Sequence, residues 1–435
     1  MARHRTRGAQ PRAAGAEFEV TIDHIGGRGD GVAIHQGRPL FVPLTVPGDR
    51  VVVRVDGRRG DGLAGTVRTM LAAGADRAAA PCPHFGRCGG CLLQHVADAA
   101  YRRWKEGVVW RALAHHGLSA VTVAPLLALP AGGRRRATIA ARRVGDTVVL
   151  GFHEYRGRRI ADLSTCLVLV PALVALLAPL RAVLADVLRP GEAVAIAVAA
   201  LDDGHDLVIA AGRAPDVADR ERLADFAAAA DLARLSWRLG DGPPDPVAHR
   251  RSGIVRFGAV DVVVPPGGFL QASAAGEEAL TGMVLDGVGP AGAVADLFAG
   301  VGTFALPLSD RARVHAVDGD GAAIAALAAA ARRAGRAGRI DAVARDLHRD
   351  PLSAAELARF DAVVFDPPRQ GARAQAAELA GSAVPTVVGV SCNPASFARD
   401  AALLVAGGYR LDRVTPIDQF QWSPHVELVG TFRRP

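Results

Sequence analysis

Lysine is almost absent from this chain: of its 51 basic residues only Lys105 is a lysine, and arginine carries the rest of the positive charge. Genomic base composition accounts for that bias, although the planar, bidentate guanidinium also suits phosphate. Cysteine is scarce as well. Five cysteines in 435 residues do not make a disulfide framework, so each needs its own account. Long apolar runs are missing too. The most apolar stretch, Leu167 to Leu180, is broken by Pro171 and Pro179 and falls short of the roughly 20 residues a membrane-spanning helix needs. Residues 1–17, with Arg3, Arg5, Arg7 and Arg12 among small residues, lack the apolar core of a signal peptide and read as a basic disordered tail. The expectation is a cytoplasmic monomer with no membrane partner.

What is present argues for folded domains. A hydrophobic share of 50% against 22% charged residues is not that of a disordered chain, and the length accommodates two or three cores. A net charge of +7 favours an anionic partner such as nucleic acid.

The richest stretch is Ala295 to Leu308, ADLFAGVGTFALPL. It reads as a strand closing on Asp296, a turn through Gly300 and Gly302, and a helix opening at Thr303 and Phe304. Glycine lets a ligand approach the backbone, and a helix N-terminus offers free N–H donors. A strict G-x-G-x-x-G is lacking, so the motif alone does not separate a nucleotide site from a tight connection. Three further apolar runs follow, Arg313 to Val317, Ile340 to Ala344 and Ala362 to Phe365, leading to Asp318, Asp346 and Asp366. Carboxylates at the C-terminal ends of successive strands mark the ligand edge of a doubly wound sheet, and the one about twenty residues after the glycines is placed to grip ribose hydroxyls.

Earlier in the chain, Phe18 to Leu71 alternates in short β runs between Gly and Asp turns, the pattern of a small closed barrel. With Gly26-Gly27 and Val46-Pro47-Gly48-Asp49 in place it resembles a TRAM domain, an OB-like barrel of RNA-modifying proteins. Cys82, Cys88 and Cys91 then fall within ten residues among glycines, a spacing that packing does not explain; Cys166 is the nearest fourth ligand. Zinc would accept the same four thiols. Tyr101 to His116 reads as a helix, and Gly132 to Phe152 as β structure opened by Arg134, Arg135 and Arg136, which either hold RNA phosphate or form a solvated charge run. Val187 to Ile254 carries no motif.

Chemistry returns with Gly268-Phe269-Leu270-Gln271, with GVSCNPASFARD around Cys392, and with PIDQFQWSPHVELVGTF, in which His425 and Glu427 share one face of a strand. Cys392 follows an apolar strand and so stands at the ligand edge, as a nucleophile would.

Together these motifs resemble the SAM-dependent RNA uracil-5-methyltransferases that carry a TRAM domain and an iron-sulfur cluster, over nearly the whole length. The resemblance implies a multidomain α/β protein: tail 1–17, OB-like barrel 18–71, mixed central domain 72–265 with the cluster, and a C-terminal Rossmann-like SAM domain 266–435. It implies [4Fe-4S] ligation by Cys82, Cys88, Cys91 and Cys166. SAM contacts would come from Gln271, Asp296, Gly300, Gly302, Thr303, Phe304, Asp318, Asp346 and Asp366. Cys392 would be the nucleophile that adds to uracil C6, Glu427 the base that removes the C5 proton, and Asp366 a residue that orients the uracil edge or supports SAM. Phe269 would be a platform for a base taken out of its stack, with Arg134 and Arg135 on the RNA. Gln271-Ala272-Ser273 departs from the Gln-x-Asn of many relatives, and F-A-G-V-G-T from their F-C-G or F-S-G.

The expected substrate is 23S rRNA, with the tRNA T-loop as the alternative. A non-catalytic RNA-binding factor is disfavoured by the intact Cys392 and Glu427. An amino-directed methyltransferase would follow Asp366-Pro367-Pro368 with an aromatic residue instead of Arg369, and a cytosine-5 enzyme would carry a cysteine in that motif.

Overall fold

A computed structural model describes residues 15–435. Residues 1–14 of the expected tail lie outside the described residues, and Glu17 already begins a strand. The chain divides into two compact units. One comprises Met1–Gly86, Cys91–Trp104 and Trp422–Pro424, and the other Arg87–Gly90, Lys105–Gln421 and His425–Pro435.

In the first unit, alternation sets the structure. Along Arg50–Arg59 the valines 51, 53 and 55 point inward while the arginines face out. Six strands form one sheet in the order Glu17–Thr21, Arg50–Arg59, Gly62–Ala72, Arg38–Val42, Gly31–His35, His24–Ile25. Its inner face closes over Ile22, Leu40, Val42, Val51, Val53 and Val55. The turn at Val46 to Asp49 is locked by the buried Asp49 carboxylate, which accepts the N–H groups of Val46 (2.7 Å) and Gly74 (2.8 Å) and pairs with Arg77.

The second unit holds two large sheets. One has seven strands, from Ile160–Asp162 through Arg136–Val144 and Ala193–Leu201 to Asp245–His249, and packs its apolar face against the helices Leu177–Val187 and Val217–Ala229. The strands expected in DLVIAAG and SWRLG lie within it, as Gly204–Ala211 and Leu232–Leu239.

The other sheet has eight strands. In spatial order they are Ile340–Ala344, Arg313–Asp318, Ala293–Leu297, Ala362–Phe365, Thr386–Ser391, Glu427–Arg433, Arg410–Ile417 and Thr122–Val123. The first five are mutually parallel and almost wholly apolar, as strands covered on both faces must be. Glu427–Arg433 runs antiparallel between Thr386–Ser391 and Arg410–Ile417. Chain order reverses between Ala293–Leu297 and Ala362–Phe365, which opens a crevice at their C-terminal ends.

The core of this sheet reaches beyond the expected 266–435. Val255, Phe257, Val260 and Val262 of the hairpin Ile254–Phe257 and Val260–Val263 pack with Leu280 and Val284 of helix Ala274–Val288. Val109, Leu113, Leu118, Val121 and Leu126 join the opposite face. No described helix is long and apolar enough to cross a membrane.

Candidate active site

The glycine turn lies at that crevice. Backbone torsions turn positive at Phe298 (φ 63°), Gly300 (55°) and Gly302 (98°). The Gly300 N–H donates to Asp318 Oδ2 (2.9 Å), while Asp318 Oδ1 accepts the Asp320 N–H (2.8 Å). Where a Cβ on Gly300 would stand, nothing lies within 4 Å, whereas one on Gly302 would meet Leu327 Cδ1 at 2.4 Å. Gly300 therefore faces open space and Gly302 packs on the scaffold. Asp296 is fully buried with both carboxylate oxygens unpartnered apart from a loose approach of the Ala305 N–H. Burial, then the charges of Asp366 and Asp318, hold its carboxyl well above the usual range. Burial without a cation beside it favours the neutral, protonated form of this carboxyl.

Two expectations at this turn are corrected. The helix after the glycines is only the four-residue turn Ala305–Leu308, so it supplies no extended N-terminal donor array at Thr303. The Phe304 side chain is buried in the core with Leu306 and Leu327, and only its backbone borders the crevice. Thr303 is buried beside it. Asp346 is exposed at the same edge. Its Oδ1 accepts the His348 N–H (3.0 Å), and the His348 ring lies 5.3 Å from that of Phe298.

Beyond the turn, one hydrogen-bonded line joins two carboxyl groups. Gln271 Nε2 donates to Asp366 Oδ2 (3.0 Å), and Gln419 Nε2 donates both to Gln271 Oε1 (3.0 Å) and to Glu427 Oε2 (3.1 Å). Gln419 was not expected here: it lies between an aspartate and a phenylalanine in a loop, and nothing local marks a glutamine whose partner Gln271 is 148 residues away. Burial raises both carboxyl pKa values; the negative charge of Asp366 raises that of Glu427 further, with Gln419 and Arg136 opposing.

Cys392 ends the strand Thr386–Ser391, half buried. Asn393 caps the following helix Pro394–Ala406 by accepting the Ala395 N–H, and its Nδ2 donates to the Arg369 carbonyl (2.8 Å), as does Ser396 Oγ (3.1 Å). These bonds tie the Cys392 turn to the Asp366-Pro367-Pro368-Arg369 turn. Burial, then the charges of Glu427 and Asp366, push the Cys392 thiol up to about 11 against the pull of Arg369. The resting sulfur is therefore a protonated thiol.

The arginine run divides. Arg135 is buried, donates to the Gln271 carbonyl (3.1 Å) and pairs with Glu277 of helix Ala274–Val288, so the expected hand for RNA phosphate is instead an internal strut behind Gln271. Arg134 is half buried, its guanidinium 5.9 Å from the Phe420 ring. Arg136, the third of the run expected to hold RNA phosphate or lie solvated, lies 4.3 Å over the Phe269 ring and donates to the Leu270 carbonyl. Burial, then Arg134 and Arg135, bring its pKa down to about 10, while Glu427 and Cys392 oppose that shift. Phe269 remains 60% exposed, an aromatic face at the mouth of the site. Ser273 accepts the Gly276 N–H (3.1 Å) as the N-cap of helix Ala274–Val288. Serine and asparagine cap equally well, so this departure leaves the helix start intact.

The remaining thiols are half buried. Cys88 and Cys166 lie against the core of the seven-stranded sheet, and Cys88 bridges to Glu154; Cys82 and Cys91 belong to the other unit. Among the described residues no group of three or more His, Cys, Asp or Glu side chains is gathered to hold a metal ion.

Comparison with known proteins meets this geometry. Residues 342–433 match the family model described as tRNA (Uracil-5-)-methyltransferase. The chain is 43% identical over 417 residues to an uncharacterized RNA methyltransferase of Brucella suis, covering 96% of this chain and 98% of that one. It is 35% identical over 450 residues to the 23S rRNA (uracil(1939)-C(5))-methyltransferase RlmD of Halomonas elongata, covering 98% and 91%. Its fold matches the crystal structure of the Pyrococcus abyssi tRNA (uracil-54, C5)-methyltransferase in complex with S-adenosyl-L-homocysteine. The TM-score is 0.72 at 22% identity, covering 95% of this chain and 100% of that one.

Proposed function

As the chain belongs to the RNA uracil-5-methyltransferase family and is a SAM-dependent RNA methyltransferase, we propose that it methylates C5 of a uridine in 23S rRNA, with Cys392 as nucleophile and Glu427 as base. The observation that carries this reading is the meeting of a thiol with two buried carboxyl groups joined through Gln271 and Gln419.

Bound SAM supplies an electrophilic methyl group on a sulfonium. The residues that would hold it are Asp296, Gly300, Asp318 and Asp346, with Gly302 shaping the turn from its scaffold side. In support, the space beside Gly300 is open and the buried Asp296 carboxyl is unpartnered. Uracil C5 is too weak a nucleophile unaided. The Cys392 sulfur bonds to C6 as its proton passes to Asp366, and the electron pair of the C5–C6 double bond makes C5 able to take the methyl group. Glu427 then removes the C5 proton. The released pair restores the double bond and expels the Cys392 thiolate, which recovers its proton from Asp366. Phe269, under Arg136, offers a stacking face for the base or its neighbour.

The preference for 23S rRNA rests on the full-length match to the Halomonas enzyme; the family model's description favours tRNA instead. Nucleoside mass spectrometry of 23S rRNA and tRNA from a strain lacking the protein decides: 5-methyluridine is expected to vanish from the 23S fraction alone. Loss from tRNA would transfer the substrate to the T-loop.

The sheet of residues 17–72, with exposed Arg28, Arg38, Arg50 and Arg58, is our candidate TRAM module for the RNA backbone. We also assign Cys82, Cys88, Cys91 and Cys166 to a [4Fe-4S] cluster. The assignment rests on donor chemistry, four half-buried thiolate donors outside the reaction centre. Anaerobically purified protein should contain iron and acid-labile sulfide; zinc without sulfide would refute the assignment.

A further inference from the structure

Lys105, the single lysine, is wholly buried on helix Asp98–His115 and belongs to none of the roles above. Its ammonium donates to the Asp418 carboxylate, to the Phe420 carbonyl (3.0 Å) and to the His425 carbonyl (2.9 Å). Those acceptors belong to one loop. The strands Arg410–Ile417 and Glu427–Arg433 are antiparallel, with Ile417 the register partner of Glu427, and residues 418–426 connect them. Asp418 is where the chain leaves the sheet and His425 is where it comes back, one residue before Val426 leads into Glu427. Lys105 thus grips both feet of the loop and its first turn. Gln419, between two of the gripped residues, is the residue that donates to Glu427 and Gln271.

We propose that Lys105 is a positioning residue for Glu427, acting through the loop 418–426, on the reading that Glu427 is the proton-removing base. The chemistry of the grip explains why lysine stands here in a chain that otherwise uses arginine. One carboxylate and two carbonyls converging on a point match three protons on a tetrahedral nitrogen, whereas the five N–H groups of a guanidinium lie in one plane. A buried ammonium is tolerated only where such partners satisfy it, and removing it takes from the buried Asp418 carboxylate the cation it is paired with. The loop would then relax, and with it the Gln419 amide that holds the Glu427 carboxylate in line. Bond formation at Cys392 depends on a different strand end and is left alone.

The test follows the covalent protein–RNA adduct on denaturing gels, using the full-length protein, SAM and total RNA from a strain lacking the protein. Lys105→Met should form the adduct at close to the unaltered rate and release it slower by about tenfold, a fraction of the about 10²–10⁴ that a well-placed base contributes. In a Glu427→Gln background the same change should slow release no further, because both substitutions remove one function. A generally weakened fold would slow formation and release alike, and effects that multiply in the double variant would also overturn the proposal. Should Lys105→Met not fold, Asp418→Asn loosens the same grip at constant shape, and normal release in that variant refutes the role. A trapped adduct in Glu427→Gln with unaltered release in Lys105→Met defeats Lys105 alone; no adduct in Glu427→Gln defeats the base assignment and this proposal with it.

Discussion

Asp296 and Cys392 carry the sharpest consequences among single residues. With its pKa raised by burial, Asp296 favours folding while protonated, and this contribution is lost as pH rises from the ordinary carboxylate value through the raised one. Asparagine at this position is never ionised. Asp296→Asn is therefore expected to raise the melting temperature more at about pH 8 than at about pH 5, as thermal scans at both values would reveal. An equal shift at both would mean that the carboxyl ionises freely in the fold. Cys392→Ala should abolish methyl transfer while SAM binding, measured by calorimetry, stays within about threefold, since the sulfur is half buried on a separate strand end from the glycine turn. Retained turnover would remove the nucleophile. The strand-end position of Cys392 was legible because an apolar run precedes it, whereas His425, expected to share a strand face with Glu427, lies in the loop before the strand Glu427–Arg433. Arg135 and Gln419 were not legible, since their roles come from partners about 140 residues distant, Glu277 in one case and Gln271 in the other.

Elements were more legible than contacts. Each apolar run that ends on an aspartate became a strand delivering that carboxylate to the sheet edge, because strands covered on both faces need continuous apolar sequence. The helix after the glycines was overestimated. Its apolar residues are there to fill the core and extend a single turn only, a choice that depends on Leu327 and Leu280 from distant helices. The two glycines of the turn predict different outcomes. Gly302→Ala forces a methyl group onto Leu327 at a positive φ and should destabilise the fold by about 1–3 kcal/mol in denaturant titrations. Gly300→Ala meets no protein atom, costs about 1 kcal/mol for its φ alone, and should act chiefly on SAM affinity. Equal losses of stability would contradict the division between scaffold and ligand faces.

Across the whole molecule, what the sequence leaves unread is which segments share a core. The family resemblance implies a C-terminal domain at 266–435, yet residues from 109 to 126 and the hairpin from 254 to 263 are built into its core, with the seven-stranded sheet standing between them in the chain. Apolar residues announce burial without announcing their partners, so a boundary drawn on motifs falls inside the packing unit.

The placement of Glu427–Arg433 between Thr386–Ser391 and Arg410–Ile417 has a consequence for synthesis on the ribosome. Both flanking strands emerge before the one that joins them, so the nascent chain exposes two apolar strand edges with a gap to be filled later. The insert that fills the gap begins with Glu427 itself. Completion of the sheet and arrival of Glu427, the base we propose, are then a single event, and a chain arrested short of residue 427 would present the Cys392 thiol without that carboxyl group.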